Sequence, residues 1–417
     1  MASKFKAPRG TFDVLPSDSA ARARVYEAAA GAFERAGYGR IETPIFEETE
    51  LFARGVGEST DIVQKEMFTF EDQAGRSLTL RPEATAALCR AYAEHGMHKL
   101  PQPVKLWCWG PFFRHERPQS GRFRQFHQID SEVIGTDSPL ADAEAIILLA
   151  DLLAELGVPG VELRLGSLGS FETRVAYRAE LRSHLHANEG SLSDDVRSRI
   201  DSNPLRAFDS DHPGTREVME GAPTMLDRLD NDDAEHFEAV KAAVSDAGVD
   251  YVLDGTLVRG LDYYTRTVFE FTSDALGAQS ALGGGGRYDG LVAELGGPET
   301  PAVGWAAGIE RILMALGEAE DEQSLDAFIV APDGQRERAF ALATQARRVG
   351  VCVDLDLAGR SEKGQMKQAN RSGAARAVIL AEDGTAKLRD METGEERPLD
   401  TDDVLREIEA ERRKAGP

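Results

Sequence analysis

The chain has 417 residues, 41% hydrophobic and 29% charged, ordinary values for globular proteins that exclude wholesale disorder. Its 48 basic and 72 acidic residues leave a net charge of −24, which on its face argues against a polyanionic partner. Apolar runs such as residues 145–153 fall short of the roughly 20 residues a membrane span needs, and Cys89, Cys108 and Cys352 lie too far apart for a disulfide framework. The N-terminus MASKFKAPRGTFD lacks the apolar stretch of a signal peptide. A cytoplasmic, soluble protein of two or three domains, with no membrane association, is expected.

In chain order, SDSAARARVYEAAAGAFERAG (17–37) has capping residues, helically spaced Val25, Ala29 and Phe33, and a closing Gly37, so it predicts an amphipathic helix. YGRIETPIF reads as a strand broken or placed at an edge by Pro44. Residues 61–81 alternate around a polar turn at 72–75 and predict a hairpin. RPEATAALCRAYAEH predicts a helix starting at Pro82. VKLWCWGPFFR and RQFHQIDSEVIG form a long hairpin with a basic tip. Residues 172–250 read as an inserted helical module. Strand character returns at YVLDGTLVRGLDYYTRTVFEFTS, and GWAAGIERILMAL predicts a strand running into a buried helix. Beyond the polar linker EAEDEQ (318–323), a β-α-β-α-β alternation predicts a separate small domain with a largely parallel sheet.

The charge is uneven. Residues 186–255 hold 17 acids and six bases, whereas 336–389 hold eleven bases and six acids, and the hairpin tip 112–124 holds four arginines and one acid. A polyanion attracted by local fields therefore stays possible, and the acidic excess reads as a solvated surface or as an adaptation to a saline cytoplasm.

Along the hairpin, Arg114 and Glu116 share one face of a strand, and Phe126, Gln128, Asp130 and Glu132 alternate along another. Such a set is costly to bury without a charged ligand; the alternative is an exposed hairpin laced by cross-strand ion pairs. In LVRGLDYYTR, Arg259 beside Gly260 suggests either a surface ion pair or a backbone approached by a ligand, and Tyr263 and Tyr264 put a phenol on each face. LGGGGRYDG permits tight turns and close approach but is neither a P-loop nor a dinucleotide fingerprint. Gly308 stands at a strand–helix junction, with Arg311 in the first helical turn, where an anion is favoured; a helix ion pair with Glu310 is the alternative. Lys363, Lys367 and Arg371 make one helical stripe, either solvated or contacting a phosphate backbone. No zinc site and no Ser/His/Asp or Cys/His nucleophile set is visible. The reactive groups are arginines and carboxylates, suited to stabilising polyphosphate charge while the substrate supplies the nucleophile.

These motifs resemble the histidyl-tRNA synthetase family of class II aminoacyl-tRNA synthetases. FRHERPQSGRFRQFHQ is similar to class II motif 2 and VGWAAGIERI to motif 3; LVRGLDYYTRTVFEF and GGGGRYDGLV resemble the two histidine-specific signatures. The resemblance runs from PRGTFDVLP (8–16) to LAGRSEKGQMKQA near residue 360. It implies an α+β fold: a catalytic domain over 1–324 with a mostly antiparallel six-stranded sheet and a helical insertion at about 172–250, then an anticodon-binding α/β domain over 325–417. It also implies a homodimer paired through GYGRIETPIF.

The implied reaction joins histidine to ATP as histidyl-adenylate and transfers it to the 3′ end of histidine tRNA. By position, Arg114 and Arg259 would flank the α-phosphate as catalytic cations. Glu116 would accept from the adenine amino group, Phe126 would stack on the ring, and Arg122 and Arg311 would grip the outer phosphates, with Mg2+ accompanying them. Glu83, Thr85 and Gln128 would take the amino end of histidine; Glu132, Tyr263 and Tyr264 would hold its side chain. Gln119 at the hairpin tip and the Lys363, Lys367, Arg371 stripe would face tRNA. The family's RPEGT is RPEAT here, Ile129-Asp130-Ser131 is a variable stretch, and the final domain is short after Leu380. Two alternatives stay open: a non-catalytic paralogue that regulates an ATP phosphoribosyltransferase, and a tRNA-binding module without turnover.

Overall fold

In the computed structural model, which describes residues 5–57, 60, 62–257, 263–317, 325–399 and 406, helix α1 (Pro16–Arg35) begins where Asp18 accepts from the Leu15 amide and ends before Gly37 at φ +76°. Its stripe of Val25, Ala29, Ala32 and Phe33 enters the main core. The strand expected in YGRIETPIF is split across two sheets: β1 (Gly39–Arg40) runs parallel to a strand of the main sheet, and β2 (Phe46–Glu48) joins a three-stranded one. Helix α2 (Thr49–Val56) follows. The hairpin expected over 61–81 is shorter than that. Ile62–Glu66 forms a π-helical turn, and only β3 (Phe68–Glu71) and β4 (Ser77–Leu80) pair, around Asp72, whose carboxylate accepts from the Ala74 and Arg76 amides.

Helix α3 (Thr85–Glu94) starts after Pro82 rather than at it. The Glu83 carboxylate accepts from the amides of Thr85 (2.7 Å) and Ala86 (3.0 Å), satisfying donors that a helix start leaves free. Strands β5 (Val104–Phe113) and β6 (Gln125–Ile134) form the long hairpin, in register from Val104↔Ile134 to Phe113↔Gln125. Next come α4 (Pro139–Glu155), β7 (Val161–Ser167), α5 (Phe171–Ala187), α6 (Asp194–Arg199), α7 (Pro213–Glu220), α8 (Asn231–Asp246), β8 (Val252–Leu253), β9 (Thr265–Ser273), β10 (Ala281–Tyr288), α9 (Leu291–Glu294), β11 (Ala302–Gly308) and α10 (Ile309–Leu316).

The main sheet has the order β1-β5-β6-β11-β10-β9-β7-β8. Its six inner strands are antiparallel, as expected; the two-residue edge strands β1 and β8 add parallel pairs and raise the count to eight. Helices α1, α4 and α8 cover one face, where Phe33 stacks on Trp107 (4.8 Å) and Trp305 (5.8 Å). Residues 172–250 are not one packing unit. Tyr177, Leu181, Leu185, Val196 and Ile200 build a small core of their own, but Phe237, Val240 and Val244 of α8 belong to the main core.

The described chain falls into two compact units, Met1–Ala319 and Glu320–Pro417; the linker at 318–323 lies outside the described residues. The second unit contains β12 (Ala327–Val330), α11 (Arg336–Arg348), β13 (Val353–Leu355), α12 (Glu362–Arg371), β14 (Arg376–Leu380), β15 (Ala386–Asp390) and β16 (Glu396–Leu399), in the sheet order β13-β12-β14-β15-β16. The first three strands are parallel. The last two are antiparallel, because the short turns between them cannot make a parallel crossover.

Candidate active site

Alternation along β6 sends Ile129 and Val133 into the main core and turns Phe126, Gln128 and Asp130 to the opposite face, where they line a cleft of about 360 Å³. The cleft crosses the middle of the sheet, with β10 and β11 as its other wall. There the run Gly283–Gly286 is strand, not turn. A Cβ on Gly283 would stand 2.7 Å from the Ala306 carbonyl oxygen, and one on Gly285 1.9 Å from that of Gly304. On β11, a Cβ on Gly304 would stand 1.7 Å from a Glu132 carboxylate oxygen.

Three arginines reach the cleft. Arg114 lies just past the end of β5; its Nε donates to the Pro82 carbonyl (2.9 Å), and its guanidinium sits 5.3 Å from the Phe126 ring centroid. Arg122 pairs with Glu116 at 3.4 Å. Arg311, in the first turn of α10, donates to the Gly121 and Ala281 carbonyls (3.0 and 2.7 Å), which ties the hairpin tip to the sheet. Burial and then the Arg122 guanidinium lower its pKa, so it favours an anionic neighbour. Glu310 does not pair with Arg311. It accepts from Arg22 on α1 (2.8 Å) and from the His127 amide (2.9 Å).

Buried carboxylates gather at the other side of the cleft. Glu132, 1% exposed, accepts from the Thr85 hydroxyl (2.7 Å) and the Tyr288 phenol (2.5 Å), and burial pushes it up to about 8. Asp130 is also pushed up to about 8, by burial first and then by the Glu83 carboxylate. Burial raises Glu83 as well, against the lowering effect of its two amide bonds. Arg114 draws both Glu83 and Asp130 back toward ionisation, so it stands between the arginine and carboxylate groups. Tyr263 and Tyr264 both line the cleft, with ring centroids 4.7 Å apart, and burial raises the Tyr263 phenol well above its usual range.

Of the residues singled out from sequence, Glu83, Thr85, Arg114, Glu116, Arg122, Phe126, Gln128, Tyr263, Tyr264 and Arg311 meet at this cleft, with Glu132 bonded to Thr85. Arg259 lies outside the described residues. Gln119 is exposed in the turn closed by its bridge to Arg122. Lys363, Lys367 and Arg371 form an exposed stripe on α12 in the second unit, opposite the buried Gln365 and Ala369. Sequence reading missed Tyr288 and gave no role to Asp130. Counting alternate positions along LGGGGRYDG as a strand would have paired Tyr288 with the cleft and put Arg287 on the other face, where it meets Asp142 at 2.5 Å.

A six-stranded antiparallel layer carrying an arginine-rich hairpin next to a strand–helix arginine is the architecture of class II aminoacyl-tRNA synthetases. Residues 10–312 match the family model described as histidyl-tRNA synthetase. The histidine–tRNA ligase of Rubrobacter xylanophilus is 49% identical over 408 residues, 94% of this chain and 96% of that one. Among solved structures, the apo histidyl-tRNA synthetase of S. aureus matches with a TM-score of 0.81 at 36% identity, covering 97% of this chain and 99% of that one. A Bacillus halodurans chain named as an ATP phosphoribosyltransferase regulatory subunit/histidyl-tRNA synthetase matches with a TM-score of 0.67 at 25% identity, covering 91% and 99%. The chain belongs to the histidyl-tRNA synthetase family.

Proposed function

We propose that the chain is an ATP-dependent histidine–tRNA ligase. The observation that carries the reading is one buried cleft with three arginines on one side and three carboxylates on the other, a match for a polyphosphate beside an amino acid rich in N–H donors. A carboxylate oxygen of histidine attacks the α-phosphorus of ATP, the bond to pyrophosphate breaks in line, and the adenylate is later passed to the 3′ end of histidine tRNA. Arg114 offsets the charge on the α-phosphate, with Arg259 opposite it by motif position. Arg122 and Arg311 hold the outer phosphates, Glu116 accepts from the adenine amino group, and Phe126 stacks on the ring. Glu83, Thr85 and Gln128 receive the amino end. Glu132 keeps a free lone pair on each oxygen for the imidazole, beside Tyr263 and Tyr264.

Magnesium enters as part of the Mg·ATP substrate, on its phosphate oxygens; the described residues gather no group of three His, Cys, Asp or Glu side chains. The domain assignment, with a catalytic part over 1–324 and an anticodon-binding part over 325–417, draws support from the division into two compact units. Gln119 and the α12 stripe contact tRNA. Homodimerisation through residues 37–46 is supported by exposed apolar side chains on the three-stranded sheet, with Phe46 50% and Phe70 42% exposed and in edge contact at 6.1 Å. No described helix is long and apolar enough to cross a membrane, and a cytoplasmic location fits the substrates.

Histidine-dependent ATP–pyrophosphate exchange by the purified protein tests the reading. Exchange that appears only with histidine is expected; no exchange would leave the regulatory paralogue or a tRNA-binding module in its place.

A further inference from the structure

Two buried acceptors on the cleft wall have no hydrogen-bond partner in the described chain, Gln128 Oε1 and Asp130 Oδ1. Asp130 is 1% exposed, and the Cys108 thiol reaches its other oxygen only at 3.7 Å. The charged and titratable groups facing it are Glu83 and Arg81 before α3, Arg114 past β5, Cys108 on β5 and Glu132 on β6. The Arg81 guanidinium is committed to the Pro111 carbonyl (2.9 Å) and to the carbonyl and hydroxyl of Thr43 (2.9 and 3.1 Å). Arg114 Nε is committed to Pro82. Glu83 already accepts from two backbone amides, which makes it a helix-end group as well as a cleft residue. An ionised carboxylate buried without a hydrogen-bonding cation is unfavourable, so the ligand-free cleft favours the protonated acid at Asp130, and an arriving ammonium favours the carboxylate, its proton leaving to solvent. Gln128 and Asp130 are two apart on one strand, hence on one face and roughly 7 Å apart. That is the spacing of their backbones; one ammonium reaches two oxygens roughly 5 Å apart with bonds of ordinary length, a span that two side chains on one face close by leaning together.

We infer that Asp130 is a substrate-binding residue: it joins Glu83, Thr85 and Gln128 Oε1 around the α-ammonium group of the amino acid, four acceptors that share its three N–H donors. The inference rests on the histidine-activation reading and adds to it a carboxylate from the stretch that otherwise looked variable. It also separates two tasks. Glu83 both organises the start of α3 and faces the ammonium, whereas Asp130 faces the ammonium alone.

The test compares the full-length protein with its Asp130→Asn variant in binding two ligands, L-histidine and 3-(imidazol-4-yl)propionate, which keeps the ring and the carboxylate but lacks the ammonium. A charge-assisted hydrogen bond is worth enough that histidine affinity falls about tenfold or more. Affinity for the des-amino ligand, read as its inhibition constant in exchange, stays within about twofold, as does the KM for ATP. Equal losses for both ligands would mean that Asp130 only shapes the wall, and an unchanged histidine affinity would remove it from the site; either result overturns the inference. Should Asp130→Asn not fold, Asp130→Ser takes the same comparison. A parent protein with no histidine-dependent exchange would instead defeat the functional reading, a different result from any shown by the variant.

Discussion

The Glu132 carboxylate is held by Thr85 and Tyr288 in a site that raises its proton affinity. With Glu132 and Asp130 both pushed up to about 8, the folded chain keeps protons that the unfolded chain has released between about pH 4.5 and 8. Their stability contribution is therefore full below that window and declines as pH rises through it. Glu132→Gln cannot ionise, so its thermal midpoint should fall less between pH 5 and 8 than the parent's, while histidine affinity drops about tenfold or more; thermal denaturation across that range, with binding at neutral pH, checks both. Asp142 behaves in the opposite sense. Burial raises it, but bonds from His236 and Arg287 outweigh burial and hold it below the usual range, so its contribution is lost as pH falls below about 4. Asp142→Ala leaves the buried Arg287 with only its longer pair to Asp289 (3.3 Å) and two backbone carbonyls, and should lower stability by about 3 kcal/mol in urea denaturation.

Among the elements, the hairpin tip is braced from outside. The Arg124 amide donates to the Gly10 carbonyl (2.7 Å), Phe12 meets Phe123 at 4.7 Å, and the Arg22 guanidinium lies 5.7 Å from the Phe12 ring while also bonding Glu310. The segment around Gly10 thus connects α1, the tip and the start of α10. Phe12→Ala should raise the KM for ATP about threefold to tenfold with little change in histidine affinity, measured by exchange at varied ATP; an equal effect on both substrates would argue against bracing of the tip alone. The β5–β6 hairpin was legible in the sequence because a period-two pattern on both sides of a polar loop has few other solutions. The start of α3 was not, because Glu83 rather than Pro82 organises it. The glycine run was not, because local preference favours turns there and only the flanking β9 and β11 make it a strand. That misreading hid Tyr288, whose place depends on the strand register. Edge strands β1 and β8 are too short to leave a pattern, and the boundary of the helical segment failed because α8 is amphipathic toward a core built elsewhere. Arg259, legible as a motif, lies outside the described residues.

For the whole molecule, the net charge of −24 and the charge of its proposed contact surfaces have opposite signs. Basic side chains are concentrated at the hairpin tip and on α12, while residues 325–417 together hold 16 bases and 18 acids. Attraction to tRNA should then rest on few placed cations, giving a shallow dependence of affinity on salt for so large a partner. Replacing Lys363, Lys367 and Arg371 with alanine should reduce the log–log slope by about two to three, read from binding over a salt series. An unchanged slope would mean that the stripe is only solvated.

The bare backbone of Gly304, opposite Glu132, also bears on how this cleft can change over generations. At that position the wall offers mutation nothing to trim and no room to add. Drift toward a differently shaped amino acid is channelled instead to positions that do carry a side chain into the cleft, Phe126, Gln128 and Asp130 on β6 and Tyr288 on β10. A library aimed at new substrate scope would then draw its active members from those positions and none from position 304.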